Sequence, residues 1–464
     1  MRIIYILFIL VNLLFSQNIY SELEKLLSKV PYSTEYSIYI YNLTTDKPIF
    51  SYNIDKPLKP ASLTKLYTTA VSIMTVGINK DIKLSFYTND KNINDGIIRG
   101  NLYIKGFGNP LVTDNDLKNF VDYLKRKGIK QITGNIIYDE SFFDTLYNRI
   151  EWIEGEPNIN PIPPVSSIIL NRNILTLSLQ PTKKNKPAIV QFKNSGPYIK
   201  IINNTLTRKN TSISVNQTVD NSYVIRISGT LSKKSRGYNI SNSIKNPSFF
   251  TAAYLANLFY NNNISFNGRI IKSTIKYNET INIYNISSKL EEIISIVNKR
   301  SDNFIAECLF KINGAYYSGI QGNSFYSTQA VNTFLRNNGI FSIGTDLVDG
   351  SGLSHYNRTT TKSIVELLKF MYLKKSIFPF YYESLSIASE DGTLRHRFYN
   401  TDAEKNFHGK TGTLNGVSAL SGYVYDKNNH LIACSIIWHY YQNNAHYYKN
   451  IEDKIINLII QSKE

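Results

Sequence analysis

Between residues 83 and 277 the chain changes texture, and that change limits the folds open to it more than any other feature. Runs such as IIRGNLYIKG, ITGNIIYDES, ILTLSLQPT, YIKIINNTLT and YVIRISGTL alternate apolar and polar residues and are separated by Gly, Asn and Asp turns. That is the period-two pattern of half-buried strands. A short helix is expected around Asp114–Lys125, a loop at EGEPNINPIPPVSS and a helix at 247–263. The flanks read differently. Upstream, 36–53 reads as two strands around a Thr-Thr-Asp-Lys-Pro turn, and SLTKLYTTAVSIM as a helix entered through Pro60, with Leu66, Val71 and Met74 on one face. Downstream of Ser287 come helical segments, two strong strands (VSALSGYVYD and HLIACSIIWHY) and a closing Ile-rich helix. Helices and strands of one α/β (α+β) unit therefore bracket a mostly β insertion. A chain of 464 residues also exceeds what one core serves. The expected division is a leader at 1–16, a first part of the split domain at 17–82, the insertion at 83–277 and a second part at 278–464.

The leader follows from MRIIYILFILVNLLFSQ: one positive charge at Arg2, an apolar run from Ile3 to Phe15, then the small Ser16. The run is short for a bilayer span and suits a secretory signal, so the protein is expected to be exported, to the periplasm or cell envelope. Lys and Arg number 52 against 35 Asp and Glu, a formal charge of +17. The lysines are scattered and no basic block lies beside an aromatic nucleic-acid motif, so a nucleic-acid partner is not expected. Peripheral contact with a membrane surface or anionic wall polymers suits such a charge. Cys308 and Cys434 each sit in an apolar run and read as buried free thiols. The six histidines form no HExxH-type pair and there are only two cysteines, so a zinc site is not expected, and the overall reading calls for no metal or organic cofactor.

Three short motifs carry the chemistry. Ser62-Leu63-Thr64-Lys65 comes first, Ser301-Asp302-Asn303 second, and Lys410-Thr411-Gly412-Thr413 third, directly before a strong strand. At i and i+3 on a helix two side chains share a face, so Lys65 can reach the Ser62 hydroxyl. Burial near other cations such as Lys410 would strip the lysine of its proton and let it act as a base, making Ser62 a nucleophile without a histidine. Ser301 would relay a proton to the leaving nitrogen. Asn303 would position Lys65 and hydrogen-bond a substrate amide, while SDN doubles as a helix N-cap. The KTGT strand offers an edge for an extended peptide. Lys410 and Thr411 suit its terminal carboxylate, Gly412 allows close approach, and the Thr413 and Ser62 N–H groups would form an oxyanion hole.

In this order the trio resembles the signature of penicillin-binding proteins and serine β-lactamases. The stretches DGSGLS (349–354), DGTLRHRF (391–398), GKTGTLNGVSALSGYVYD (409–426), GNLYIKGFGNP (100–110) and ITGNIIYDESFFD (132–144) extend the likeness over nearly the whole mature chain. It resembles the D-alanyl-D-alanine carboxypeptidase/endopeptidase family, the low-molecular-mass class C penicillin-binding proteins. That resemblance implies a serine β-lactamase/transpeptidase-like domain split by one or two small inserted domains. It also implies acylation of Ser62 by D-Ala-D-Ala stem peptides of peptidoglycan, hydrolysis of the acyl-enzyme, and covalent inhibition by β-lactams. Asp139 matches a position that in relatives faces the active site and can meet a diamino-acid side chain. His355 stands where the family often carries arginine, so a contact to the substrate peptide is expected to differ. Two rival functions are a β-lactamase, suggested by Glu156-Pro157-Asn158-Ile159-Asn160, and a catalytically silent wall-binding protein. Against the first, Glu156 precedes Ser301, the reverse of the order in class A enzymes. Against the second, Ser62, Lys65 and Lys410 are all present.

Overall fold

The computed structural model describes residues 19–156 and 161–462; the expected leader and four residues of the EPNIN loop lie outside them. A six-stranded antiparallel sheet runs in the order Ser386–Ile387, His408–Leu414, Val417–Tyr425, Leu431–His439, Glu35–Asn42, Lys47–Tyr52. Both of its faces are covered. Ala419, Tyr423, Ala433 and Ile437 join a core with the helices Thr64–Ser72, Leu290–Arg300, Asn303–Ser318 and Thr361–Leu373. Leu420, Val424, Ile432, Ile436 and Trp438 join a second core with the closing helix Ala445–Gln461 and a helix at 19–27. Burial of alternate residues on opposite sides is why LIACSIIW reads as an apolar run broken only by Ser435, which is buried and accepts from Ser421. Ile451, Ile455, Ile456 and Ile459 of the closing helix pack on the sheet, so its apolar stripe is core. Cys308 and Cys434 are free and buried, and burial pushes both thiols up, Cys434 to about 12.

The third core belongs to the strand-rich stretch. Its five-stranded sheet runs Ile270–Lys272, Ile136–Asp139, Leu102–Gly106, Asp81–Thr88, Ile281–Lys289, beside three smaller three-stranded sheets. Helix Asp114–Arg126 buries Leu117, Phe120, Val121 and Leu124 at helical spacing, and helix Pro247–Asn261 packs alongside. The chain enters and leaves this region through the antiparallel pair Asp81–Thr88 and Ile281–Lys289. Along that pair Ile82 and Leu290 belong to the first core, Leu84, Phe86 and Ile286 to the third.

Two local features bear on the site, and the first departs from the sequence reading. The serine-bearing helix has no exposed face: every residue of Thr64–Ser72 is buried. Its hydroxyls are satisfied inside, Thr68 donating to the Gly350 carbonyl at 2.8 Å and Ser72 to Asn313 Oδ1 at 2.8 Å. At SDN one helix ends and a second begins, with the N-cap that the sequence reading expected. Ser301 adopts a left-handed conformation (φ 53°, ψ 40°) and ends the first. Asp302 caps the second, accepting from the Ile305 N–H at 3.0 Å.

Candidate active site

Ser62 does not lie in regular α-helix. It occupies a 3-10 turn, Ala61–Leu63, that runs into the α-helix at Thr64. In a 3-10 turn residues i and i+3 eclipse, so Lys65 still lies over Ser62. The turn is entered through Ala61 at φ 48°, a left-handed geometry that costs an L-residue about 1–2 kcal/mol. Two glycines make room for it. A Cβ on Gly352 would sit 1.9 Å from the Ala61 carbonyl oxygen, and one on Gly412 2.8 Å from the Pro60 carbonyl oxygen. Gly412, expected to admit substrate, also lets the KTGT strand lie against the serine turn.

Lys65 is fully buried and its amine donates to three acceptors: Ser62 Oγ at 2.9 Å, Asn303 Oδ1 at 2.8 Å and the Ser351 carbonyl at 2.5 Å. Three acceptors match the three N–H groups of an ammonium, and loss of one proton turns the nitrogen lone pair toward one of them. Burial pulls this amine from its ordinary 10.5 down to about 8, opposed by the carboxylates of Asp349, Glu307 and Asp302. The expected role of Lys410 in this shift is not what the structure gives: burial dominates, and the facing charges act the other way. Lys410 is itself held well below its ordinary value, by burial first and by Lys65 second. It donates to Ser301 Oγ at 2.8 Å and to the Thr411 carbonyl at 2.9 Å. Thr411 Oγ1 donates to Thr393 Oγ1 at 2.9 Å. Strand Ser386–Ile387 pairs with His408–Leu414 only at His408 and Gly409. Among the described residues the outer edge beyond Gly409 carries no strand partner and is open to an extended peptide.

The second motif is braced from the inserted region. Asn171, Arg172 and Asn173 form a left-handed turn (φ 49°, 58° and 56°). It aims the Arg172 guanidinium at Asp302, Nη2 lying 2.9 Å from Oδ1 and 2.7 Å from Oδ2, with the Phe304 ring 5.4 Å away.

Asp139 and His355 are both engaged by protein groups. Asp139 is 3% exposed and its oxygens are engaged within its own sheet, by Lys105 Nζ at 2.9 Å, the Ser141 N–H at 2.9 Å and the Ile275 N–H at 2.8 Å. Those hydrogen bonds join it to neither Lys65 nor Ser301. His355 is held at the rim, its Nε2 2.8 Å from Glu156 Oε1 and its Nδ1 3.2 Å from Lys59 Nζ. The same Glu156 oxygen accepts the Asn415 N–H at 2.8 Å, so the carboxylate of the β-lactamase-like loop is taken up by His355 and the end of the KTGT strand. The sequence reading assigned no role to Ser351, Thr393 or Arg172. DGSGLS and DGTLRHRF were visible as text, but a carbonyl aimed at an amine has no side-chain signature.

The family described as D-Ala-D-Ala carboxypeptidase 3 (S13) matches residues 19–461. The chain is 24% identical over 414 residues to the D-alanyl-D-alanine carboxypeptidase DacB of Haemophilus influenzae, covering 88% of this chain and 86% of that one. It is 26% identical over 433 residues to a D-alanyl-D-alanine carboxypeptidase of an Actinomadura species, covering 88% and 77% respectively. Penicillin binding protein 4 of H. influenzae, also solved in complex with a β-lactam, has the same fold: TM-score 0.76, 22% identity, 92% of this chain and 99% of that one. With the family match spanning the split domain, the inserted region and all three motifs, this chain belongs to the D-Ala-D-Ala carboxypeptidase 3 (S13) family.

Proposed function

We propose that the protein is an exported serine DD-peptidase of the cell envelope that hydrolyses D-Ala-D-Ala stem peptides of peptidoglycan, their cross-links, or both. The observation that carries this reading is the 2.9 Å contact between the Lys65 amine and Ser62 Oγ inside a fully buried lysine site. Neutral Lys65 takes the Ser62 proton as Oγ attacks the penultimate D-Ala carbonyl. The Ser62 and Thr413 N–H groups receive the oxyanion. Ser301, hydrogen-bonded to Lys410, passes its hydroxyl proton to the departing D-Ala nitrogen as the C–N bond breaks and regains one from the ammonium of Lys65 or Lys410; water then attacks the acyl carbon, the ester C–O bond breaks, and the Ser62 oxygen takes up a proton as the acid leaves. Lys410 and Thr411 hold the terminal carboxylate of the substrate, and Asn303 keeps Lys65 in place. The same serine would be trapped by β-lactams.

Around this site we read 17–82 and 278–464 as the two parts of one catalytic domain and 83–277 as its insertion; the separate apolar core of the strand-rich region supports that division. No helix among the described residues is long and apolar enough to cross a membrane. The leader at 1–16 carries the periplasmic reading.

Intact-protein mass spectrometry after mixing with benzylpenicillin tests the proposal. The wild type is expected to gain one penicillin mass and the Ser62→Ala variant none. Rapid drug turnover without an adduct would favour a β-lactamase, and neither adduct nor turnover would favour a silent binder.

A further inference from the structure

A carboxylate that the reaction scheme does not use lies behind Lys65. Glu307 is one turn beyond Asn303 on the helix Asn303–Ser318, so the two side chains share a face. Asn303 reaches Lys65 directly. Glu307, 2% exposed, turns to the loop that closes over the amine, its Oε1 accepting the N–H groups of Gly350 at 3.1 Å and Ser351 at 2.7 Å. Ser351 in turn offers its carbonyl to Lys65 at 2.5 Å. The rest of the loop is tied just as firmly. Thr68 Oγ1 donates to the Gly350 carbonyl at 2.8 Å. Asp349 accepts from the N–H groups of Gly352 at 2.8 Å and Ser354 at 2.7 Å, and from Asn357 Nδ2 at 2.8 Å.

We propose that Glu307 is a positioning residue for the serine–lysine pair: it aims the Ser351 carbonyl at the Lys65 amine, and its charge sets how readily that amine gives up its proton. The inference rests on the reading of Lys65 as the base for Ser62. A carbonyl dipole and a carboxylate on the same side of a buried amine both favour its charged form, against the burial that disfavours it. The balance leaves the lysine held in one place yet able to lose a proton near neutral pH. Besides Lys65 itself, the charged groups acting most on Glu307 are Asp349 on the loop and Arg149 from the strand-rich region, whose Nη1 holds the Val348 carbonyl at 2.5 Å. Burial first, and Asp349 second, push the Glu307 carboxyl up to about 7, and Arg149 pulls the other way.

The test is the rate constant for acylation of the full chain by benzylpenicillin, followed by mass from acid to alkaline pH. Glu307→Gln keeps the reach and an acceptor oxygen but removes the charge. Loss of that negative charge makes Lys65 easier to deprotonate, so the rising limb of the profile should move toward acid by about 1 pH unit. Glu307→Asp keeps the charge but draws it back from the two amides, and should acylate about tenfold or more slowly with the limb nearer its wild-type position. Glu307→Gln and Glu307→Asp proteins with the wild-type rate and limb would overturn the proposal. So would lower thermal stability with an unmoved limb, since that is what a purely structural residue would give. If Glu307→Gln does not fold, the rate of Glu307→Asp decides. Lys65→Ala in the same series separates the two ideas: near-normal acylation there sinks the lysine-base reading itself, whatever the Glu307 variants do.

Discussion

Replacing Lys65 by alanine is expected to lower the rate of acylation by benzylpenicillin by about 10³–10⁴-fold, the scale of losing a general base from a unit that works together. A lysine at its ordinary pKa would be neutral in roughly one molecule in a few thousand at pH 7, whereas at about 8 roughly one in ten is neutral. Burial therefore multiplies the population of competent base by about two hundredfold, more than any single hydrogen bond in the site could supply. The sign of the pH dependence follows. The competent form is the deprotonated amine, so wild-type acylation should rise with pH and level off above about 8. Lys65→Arg should not rescue the alanine variant, because a guanidinium keeps its proton throughout this range. The profile is read by mass spectrometry of the adduct, with near-ultraviolet circular dichroism to show that the variants are folded. Near-normal acylation by either variant would rule out Lys65 as the base.

Arg397→Met is expected to destabilise the protein by about 3–5 kcal/mol, the cost of leaving a buried charge without its partner. Arg397 belongs to the DGTLRHRF stretch and reaches across to the closing helix. Its Nη2 lies 3.0 Å from Glu452 Oε2 and 2.5 Å from Asp453 Oδ1. Glu452 is fully buried, and without the guanidinium its carboxylate would keep only the Ser418 hydroxyl, which donates to it at 2.8 Å. Burial already pushes this carboxyl up while Arg397 pulls it down, so losing the arginine removes the force that keeps it ionised. Adding Glu452→Gln should recover part of the loss, because the double variant no longer strands the fully buried charge of Glu452 and leaves only Asp453, a quarter exposed, without its arginine. Denaturant unfolding of the two single variants and the double variant measures this coupling, and simple additivity would contradict it. Ser418 is the register partner of Thr413, so this buried pair also stands behind the KTGT strand.

Much of the site was legible in sequence because its chemistry is carried by side chains at short, fixed spacings. Ser62 and Lys65 are three residues apart, and a helical turn of either kind brings them together. The capping aspartate of SDN and the strand after KTGT are local patterns too. The inserted region announced itself by period-two alternation, and the closing helix by an Ile stripe that needs a sheet to cover it. Asp139 shows what this kind of reasoning leaves to the fold. Its place in a familiar stretch of text suggested a substrate contact, but Lys105, one strand over in register, takes up its charge.

What the sequence by itself determined was the three motifs, the order in which they occur and the change from helical to strand-rich texture between them. The tertiary structure alone decided how those groups are tuned. The Ser351 carbonyl meets Lys65 across 286 residues of chain, Glu307 reaches the Gly350 amide across 43, and Arg172 braces Asp302 across 130. Such contacts leave no periodicity to read, because they are made by backbone groups, buried charges and left-handed turns whose meaning depends on what packs against them. The shift of Lys65 to about 8 belongs to the same class. A pKa is set by the dielectric and charges that surround a group, and only the closed fold supplies them.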